Sequence, residues 1–164
     1  MVQKWNFVYN FFWFSKMQIN WFLGSSILFF LLDLSTNPCF LQLPIIGKQR
    51  FQMIKLIQTY LFLFLHHLIA IFLYFGWLFS SPYILGWYII FVLGVMLHWL
   101  TNKQKCILTQ VLNRVCEYSD AEPFHDIWYF LGLKSKPYTN LLLVCYLFIG
   151  IIIAFYKISK STNK

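Results

Sequence analysis

Three long apolar segments constrain this chain more than any other feature of its sequence. They cover about residues 56–79, 83–100 and 139–156, and each lacks lysine, arginine, aspartate and glutamate. A helix needs about 20 apolar residues to cross a hydrocarbon core of roughly 30 Å. Backbone groups inside that core must be bonded within the protein. The three segments are therefore predicted to be transmembrane helices.

A fourth span is predicted over about residues 17–34. The apolar stretch 21–34 is only about 21 Å long at 1.5 Å per residue. It lengthens backwards through residues 17–20 if Lys16 extends to the interface. Residues 5–14 are mostly aromatic, which favours the head-group layer. Residues 5–34 should therefore form one long tilted helix, or an interfacial helix that continues into a span.

The composition agrees with a membrane class. Hydrophobic residues make up 60% and charged residues 11% of the 164, against about 25% charged in soluble domains. The net charge of +8 is interpreted as basic groups that contact lipid head groups or set topology. Nucleic acid is not an expected partner, because no basic stripe or binding motif accompanies the charge. One membrane domain over residues 1–164 is expected, with the bilayer, other membrane proteins or a second copy as partners.

The Ser80–Pro82 turn predicts a helical hairpin from the second and third spans. We call the membrane face at this turn side A and the opposite face side B. Residues 35–55 and 101–138 then lie together on side B. Eight of the thirteen basic residues fall there, so the positive-inside rule predicts that side B is cytoplasmic. The eight are Lys48, Arg50, Lys55, Lys103, Lys105, Arg114, Lys134 and Lys136.

Residues 101–138 are too many for a bare loop. Apolar residues recur there at helical spacing, which predicts an amphipathic helix on the membrane surface or capping the bundle. They are Ile107, Leu108, Val111, Leu112 and Val115. A second short helix is expected over about 123–131, ended by Gly132. Gly150 and Ala154 suit close helix packing. The predicted fold is all-α integral membrane: four transmembrane helices with an amphipathic helical cap between spans three and four.

Histidines at membrane depth mark a candidate site, because ionisable groups are expensive there. His67 and His98 lie fourteen and seventeen residues from Ser81, or about 21 and 26 Å from the turn. Both therefore fall in the side-B half of adjacent spans. His66 points about 100° away from His67, so one of the two should face the partner helix. One interpretation is a bis-histidine haem site formed by His67, or His66, with His98. The alternative is that the imidazoles bond one another, Asp33 or backbone.

Other reactive groups give weaker patterns. There is no His-Glu-x-x-His or paired Cys-x-x-Cys spacing, so no metal site is predicted. Cys106 has Lys103 and Lys105 nearby, but no motif supports a nucleophile. If side B faces the cytosol, the cysteines should be free. If it faces an oxidising lumen, a bridge such as Cys39 to Cys106 becomes possible.

A short signature lies at the side-B end of the third span. His98-Trp99, then Cys106 to Thr109, then Asn113-Arg114 resemble the pattern of a family of small four-helix membrane proteins from bacteria, with related proteins in some large DNA viruses. The family pattern is Cys-Pro-Leu-Thr, often followed by a Glu-Asn-Arg-like run, with histidines in the preceding helices. The resemblance covers roughly residues 60–155. It implies the four-helix architecture and no particular activity.

The chain departs from that pattern at two positions. Ile107 replaces the proline, and Leu112 stands where the glutamate would be. The polar residues around the signature, together with an acid at the end of the first span, form a candidate polar pole on side B. Its members are Asp33, Cys106, Thr109, Asn113 and Arg114.

No convincing catalytic set emerges from these patterns. The leading hypothesis is a non-enzymatic multi-pass membrane protein, a structural or assembly component of a membrane. The alternative is a redox, haem- or metal-binding membrane protein that uses His67 and His98. A small transporter is the third hypothesis, although no repeat pair is seen.

Overall fold

A computed structural model describes residues 2–36, 50–103, 105–116, 127–132 and 138–162. These ranges contain six α-helices and one 3-10 turn, and no strand. The helices are α1 (Val2–Thr36), α2 (Arg50–Phe75), α3 (Pro82–Thr101), α4 (Ile107–Val115), α5 (Ile127–Phe130) and α6 (Thr139–Thr162), and the 3-10 turn is Gly76–Leu78.

Four helices are long and apolar enough to cross a bilayer, which confirms the predicted all-α membrane fold. The spans are Lys16–Thr36, Ile57–Leu78, Pro82–Thr101 and Thr139–Thr162. The first span belongs to one uninterrupted helix of 35 residues, as the first of the two alternatives predicted. At 1.5 Å per residue α1 is about 52 Å long. It therefore tilts within the bilayer or extends beyond the hydrocarbon core.

The spans pack as two antiparallel pairs with α2 at the centre. α1 lies along α2 and α3 lies along α6, while α2 also contacts α3, α4 and α6. Leu63, Leu85, Val92 and Leu147 are fully buried where these helices meet. Large apolar side chains also cover the outside of the bundle, as expected for helices whose outer faces meet lipid.

Tyr88 of α3 sets how closely the second, third and fourth spans approach. Its side chain is fully buried, between Gly76 after α2 and Gly150 in α6. A Cβ atom at Gly76 would collide with the Tyr88 ring, and one at Gly150 would collide with the Tyr88 hydroxyl and lie 3.0 Å from Trp77 Cδ1. Gly150 and Ala154 are both buried, so the predicted close packing at these two residues is confirmed.

The side-A end of α2 is held by aromatic donors from the 3-10 turn and from two neighbouring helices. A helix ends with carbonyls that have no intrahelical donor, and such groups are costly at membrane depth. Trp77 Nε1 donates to the Tyr74 carbonyl at 2.9 Å, and the Tyr146 hydroxyl donates to the same carbonyl. The Tyr88 hydroxyl donates to the Leu73 carbonyl at 3.4 Å. Aromatic donors thus replace water at this helix end.

Two further side chains clamp the turn that follows. Lys157 Nζ of α6 donates to the carbonyl of Trp77 at 2.9 Å, and to those of Leu78 and Phe79 at 3.4 Å. Gln18 of α1 donates from Nε2 to the Leu78 carbonyl at 3.2 Å and accepts at Oε1 from the Ser80 amide at 3.3 Å. The first and last spans are thereby joined to the same turn.

The side-B cap contains the predicted helix over 107–115. Leu112 and Asn113 are buried toward the bundle, where α4 contacts α2. The start of the second predicted helix lies outside the described residues, which resume with α5 at Ile127. Gly132 ends this helix as predicted: its φ is +69°, and its amide donates to the Tyr129 carbonyl at 2.9 Å.

Candidate functional site

The candidate site lies at the side-B pole, and its most buried element is a contact between the first two spans. His67 Nε2 donates to Asp33 Oδ2 at 3.1 Å, and each side chain is only 1% exposed. Asp33 lies one turn before the end of α1, and the antiparallel α2 brings His67 to the same depth. The Phe30 ring packs edge-on at 6.4 Å between ring centroids. The pair is therefore shielded from solvent.

His66 points in another direction and meets the cap. Consecutive helical residues differ by about 100°, so His66 faces α4 where His67 faces α1. Its Nε2 lies 3.6 Å from Cys106 Sγ, within the range of a sulfur hydrogen bond. His66 is 5% exposed, whereas Cys106 is a half-buried free thiol. The two adjacent histidines thus serve two different contacts.

His98 fixes the start of α4. Its Nε2 accepts a hydrogen bond from the Ile107 amide at 3.3 Å. Because a backbone amide can only donate, Nε2 carries no proton and the ring proton is on Nδ1. A proline at position 107, as in the family pattern, would lack this N–H. The Ile107 departure therefore has a structural consequence: it provides the donor for His98.

The turn before α4 is fixed by Asn102. Its Nδ2 donates to the Lys105 carbonyl at 2.8 Å and to Gln110 Oε1 at 3.1 Å, while its carbonyl accepts from the Lys105 amide at 2.9 Å. Lys103 has a φ of +51° within this turn. These bonds place Cys106 at the N-terminal end of α4, beside His66.

The structure shows what His67 and His98 contact. Bonding to Asp33 or to backbone is confirmed, for His67 and His98 respectively. Ligation of a haem iron through Nε2 of these two residues would require both bonds to break. Haem ligation by His67 and His98 remains a prediction. Within the described ranges, no three His, Cys, Asp or Glu side chains are grouped as metal ligands.

The remaining members of the polar pole lie on different faces of α4. Thr109 is half-buried, Asn113 is buried and Arg114 is exposed. The suggested bridge from Cys39 to Cys106 is wrong, since Cys106 is a free thiol. Cys106 faces His66 instead. Cys116, at the other end of α4, is disulfide-bonded.

Sequence reasoning missed the contacts of Lys157, Gln18 and Tyr146 on side A. Lys157 and Gln18 are polar residues close to the ends of spans. That position could have indicated that they bond backbone groups at a helix end. Both side chains bond the turn that follows α2. The sequence does not show that α2 changes to a 3-10 turn at Gly76, so this shared contact could not be predicted.

No protein-family model, curated protein or solved structure matches the chain. The fold and the contacts within its spans define the class directly: an α-helical, multi-pass membrane protein.

Proposed function

We propose that this multi-pass protein is a non-enzymatic structural or assembly component of its membrane. The observation that carries the proposal is the Asp33–His67 contact, which uses two almost fully buried ionisable side chains to join two spans. Polar contacts of this kind act as adhesive between transmembrane helices. A role of this type requires a stable bundle and no turnover.

The contacts near the two ends of the first span support the same role. Gln18 binds the side-A turn, and Asp33 binds His67 toward side B. Fifteen residues separate Gln18 from Asp33, so the attachments lie about 22 Å apart along the helix. The first span is therefore fastened to α2 toward side B and to the following turn at side A, which suits a bundle that other components build upon.

The outer face of α1 supplies the surface for assembly. Leu23, Ile27 and Leu31 recur every four residues and are exposed, because α1 packs mainly on α2. Such a face meets lipid tails, another membrane protein or a second copy of the chain. The proposal assigns it to a protein partner or a second copy.

Substitutions on this face test the proposal. Ile27→Trp and Leu31→Trp enlarge the α1 face, and Ile152→Trp makes the same change on the exposed face of α6. We expect the wild-type chain to migrate above monomer mass in mild detergent extracts of its native membrane. The α1 variants should shift toward monomer, and the α6 control should not. A monomeric wild-type chain, or equal behaviour of all variants, would contradict the role.

The same purified material addresses the haem alternative. A haem bound by His67 and His98 gives the chain an intense Soret absorbance band, which a structural component lacks. Loss of such a band in both His67→Leu and His98→Leu, with the bundle intact, would replace the structural proposal by the haem protein.

We also propose that side B faces the cytoplasm, on the excess of basic residues there. The disulfide at Cys116 is the observation against this orientation, because disulfides persist in oxidising compartments. Blocking thiols during cell lysis and then mapping Cys116 decides the matter. A free Cys116 thiol supports the cytoplasmic orientation, and an oxidised Cys116 overturns it.

Membership of the Cys-Pro-Leu-Thr family is proposed on the signature residues. Cys106 is the residue before α4, so the family proline falls at the first helical position, where proline is favoured. The signature and the helix start thus coincide. A sequence profile built from family members tests this proposal. If residues 98–114 score no higher than shuffled sequences, the signature does not support membership.

A further inference from the structure

The Cys106–His66 pair plays no part in the structural role proposed above. Cys106 is a free cysteine that is only partly buried. His66 lies behind it, 5% exposed, with Nε2 at 3.6 Å from the sulfur. We propose that Cys106 is an S-acylation site that accepts a fatty acyl group from a phosphate-bearing acyl donor.

The geometry supports thiol attack on an acyl carbonyl. An imidazole within hydrogen-bond distance can take the thiol proton as the sulfur attacks. Cys106 also lies at the N-terminal end of the nine-residue α4. The amides of Leu108 and Thr109 in the first turn have no intrahelical acceptor. The helix end therefore favours the negative charge that develops on the carbonyl oxygen.

The step balances without an additional reagent. Cys106 Sγ bonds to the carbonyl carbon, and the thiol proton moves to His66 Nε2. The bond from that carbon to the donor's sulfur or oxygen then breaks. The departing thiol or alcohol takes the proton from His66, which returns to its neutral form, and the acyl group remains on Cys106 as a thioester.

An apolar stripe beside the thiol fits the acyl chain. Ile107, Val111 and Val115 recur every four residues along α4, and all three are exposed. The buried residues of the helix, Leu112 and Asn113, point in other directions than this stripe. An acyl chain on Cys106 could lie along the outward stripe and enter the bilayer, which would anchor α4 at the membrane surface.

Two lysines beside the thiol suit the donor's phosphates. Lys103 is exposed and Lys105 half-buried, and the Asn102 hydrogen bonds hold their common turn. Fatty acyl coenzyme A thioesters and glycerophospholipid esters both carry an activated acyl group and phosphate. The shared chemistry defines the site, and the source of the acyl group is a matter for experiment.

Acyl transfer to the purified full-length chain tests the proposal. The protein is reconstituted in proteoliposomes and incubated with alkyne-tagged palmitoyl coenzyme A, or with vesicles of alkyne-acyl phosphatidylcholine. We expect hydroxylamine-sensitive labelling from at least one donor, and the donor that labels identifies the source. Labelling should disappear in Cys106→Ser and persist in Cys145→Ser, because Cys145 is a free thiol within the fourth span.

His66→Gln tests the assigned base, since glutamine keeps a polar amide but cannot take the proton. Its labelling rate should fall on the order of a hundredfold. Three results would overturn the proposal. They are full labelling of Cys106→Ser, an unchanged labelling rate in folded His66→Gln, and no labelling of the wild-type chain from either donor. If His66→Gln does not fold, mass spectrometry of wild-type chain from cell membranes decides. An acyl adduct on Cys106 supports the site, and an unmodified thiol overturns it.

Discussion

His67 of the second span donates a hydrogen bond to Asp33 of the first, and both side chains are 1% exposed. The contact lies toward side B, while Gln18 holds the side-A turn about 22 Å away along α1. The first span shares little buried surface with the rest of the bundle: 11% of its apolar window is buried, against 44% for the second span. Polar contacts therefore carry much of its attachment.

Gly150→Ala should destabilise the bundle, because the added methyl group collides with the Tyr88 hydroxyl and lies only 3.0 Å from the Trp77 ring. Overpacking of this kind costs about 1–3 kcal/mol. Gly94→Ala is the matched control, as no atom lies within 4 Å of its added Cβ. Thermal unfolding in detergent should show a lower midpoint for the first variant only. Equal midpoints would mean that Gly150 does not face Tyr88.

Lys157→Met should weaken the junction between α6 and the side-A turn. The substitution keeps the apolar stem but removes the ammonium donor from the Trp77, Leu78 and Phe79 carbonyls. The Leu78 carbonyl keeps Gln18 as a donor, and loss of the donor at a partly buried carbonyl such as that of Trp77 costs about 1–3 kcal/mol. Lys160→Met changes an exposed residue and should stay within about 0.5 kcal/mol. Chemical denaturation of both variants compares the two costs, and a neutral Lys157→Met would refute the clamp.

The hairpin of the second and third spans predicts opposite membrane faces for its ends. Ser81→Cys and Lys103→Cys place new thiols at the side-A turn and in the side-B turn, in a chain whose own free cysteines are replaced by serine. An impermeant maleimide added outside sealed vesicles should label one variant, and labelling of the other should require permeabilisation. Labelling of both from one face would rule out the four-span arrangement.

Much of the fold could be predicted from sequence because length and apolarity determine where a helix crosses a bilayer. The spans, the Ser80–Pro82 turn and the helix end at Gly132 follow from local chemistry. The site depends on helix rotation, which apolar segments with few polar residues hardly specify. His66 and His67 differ by one residue, yet one faces α4 and the other α1. Depth in the membrane alone suggested His98 as the partner of His67, whereas the packing of α1 on α2 places Asp33 beside His67.

The position of Cys106 beside His66 could not be predicted from the spacing of residues in the sequence either. It depends on the Asn102 side chain, which bonds Lys105 and Gln110 and turns the chain back onto α2. The Lys103 conformation in this turn, with φ at +51°, is unusual for a residue with a side chain. No local motif predicted it.

A double-mutant cycle on Asp33 and His67 tests the central claim most directly, namely that contacts between polar side chains within the spans hold this bundle together. Asp33→Leu, His67→Leu and the double variant are compared with wild type by the free energy of unfolding in detergent. Each single change removes the Asp33–His67 contact while the other ionisable side chain stays buried. We predict a coupling free energy of about 1–3 kcal/mol, with the double variant less destabilised than the sum of the two single variants. Additivity within about 0.3 kcal/mol would contradict the claim.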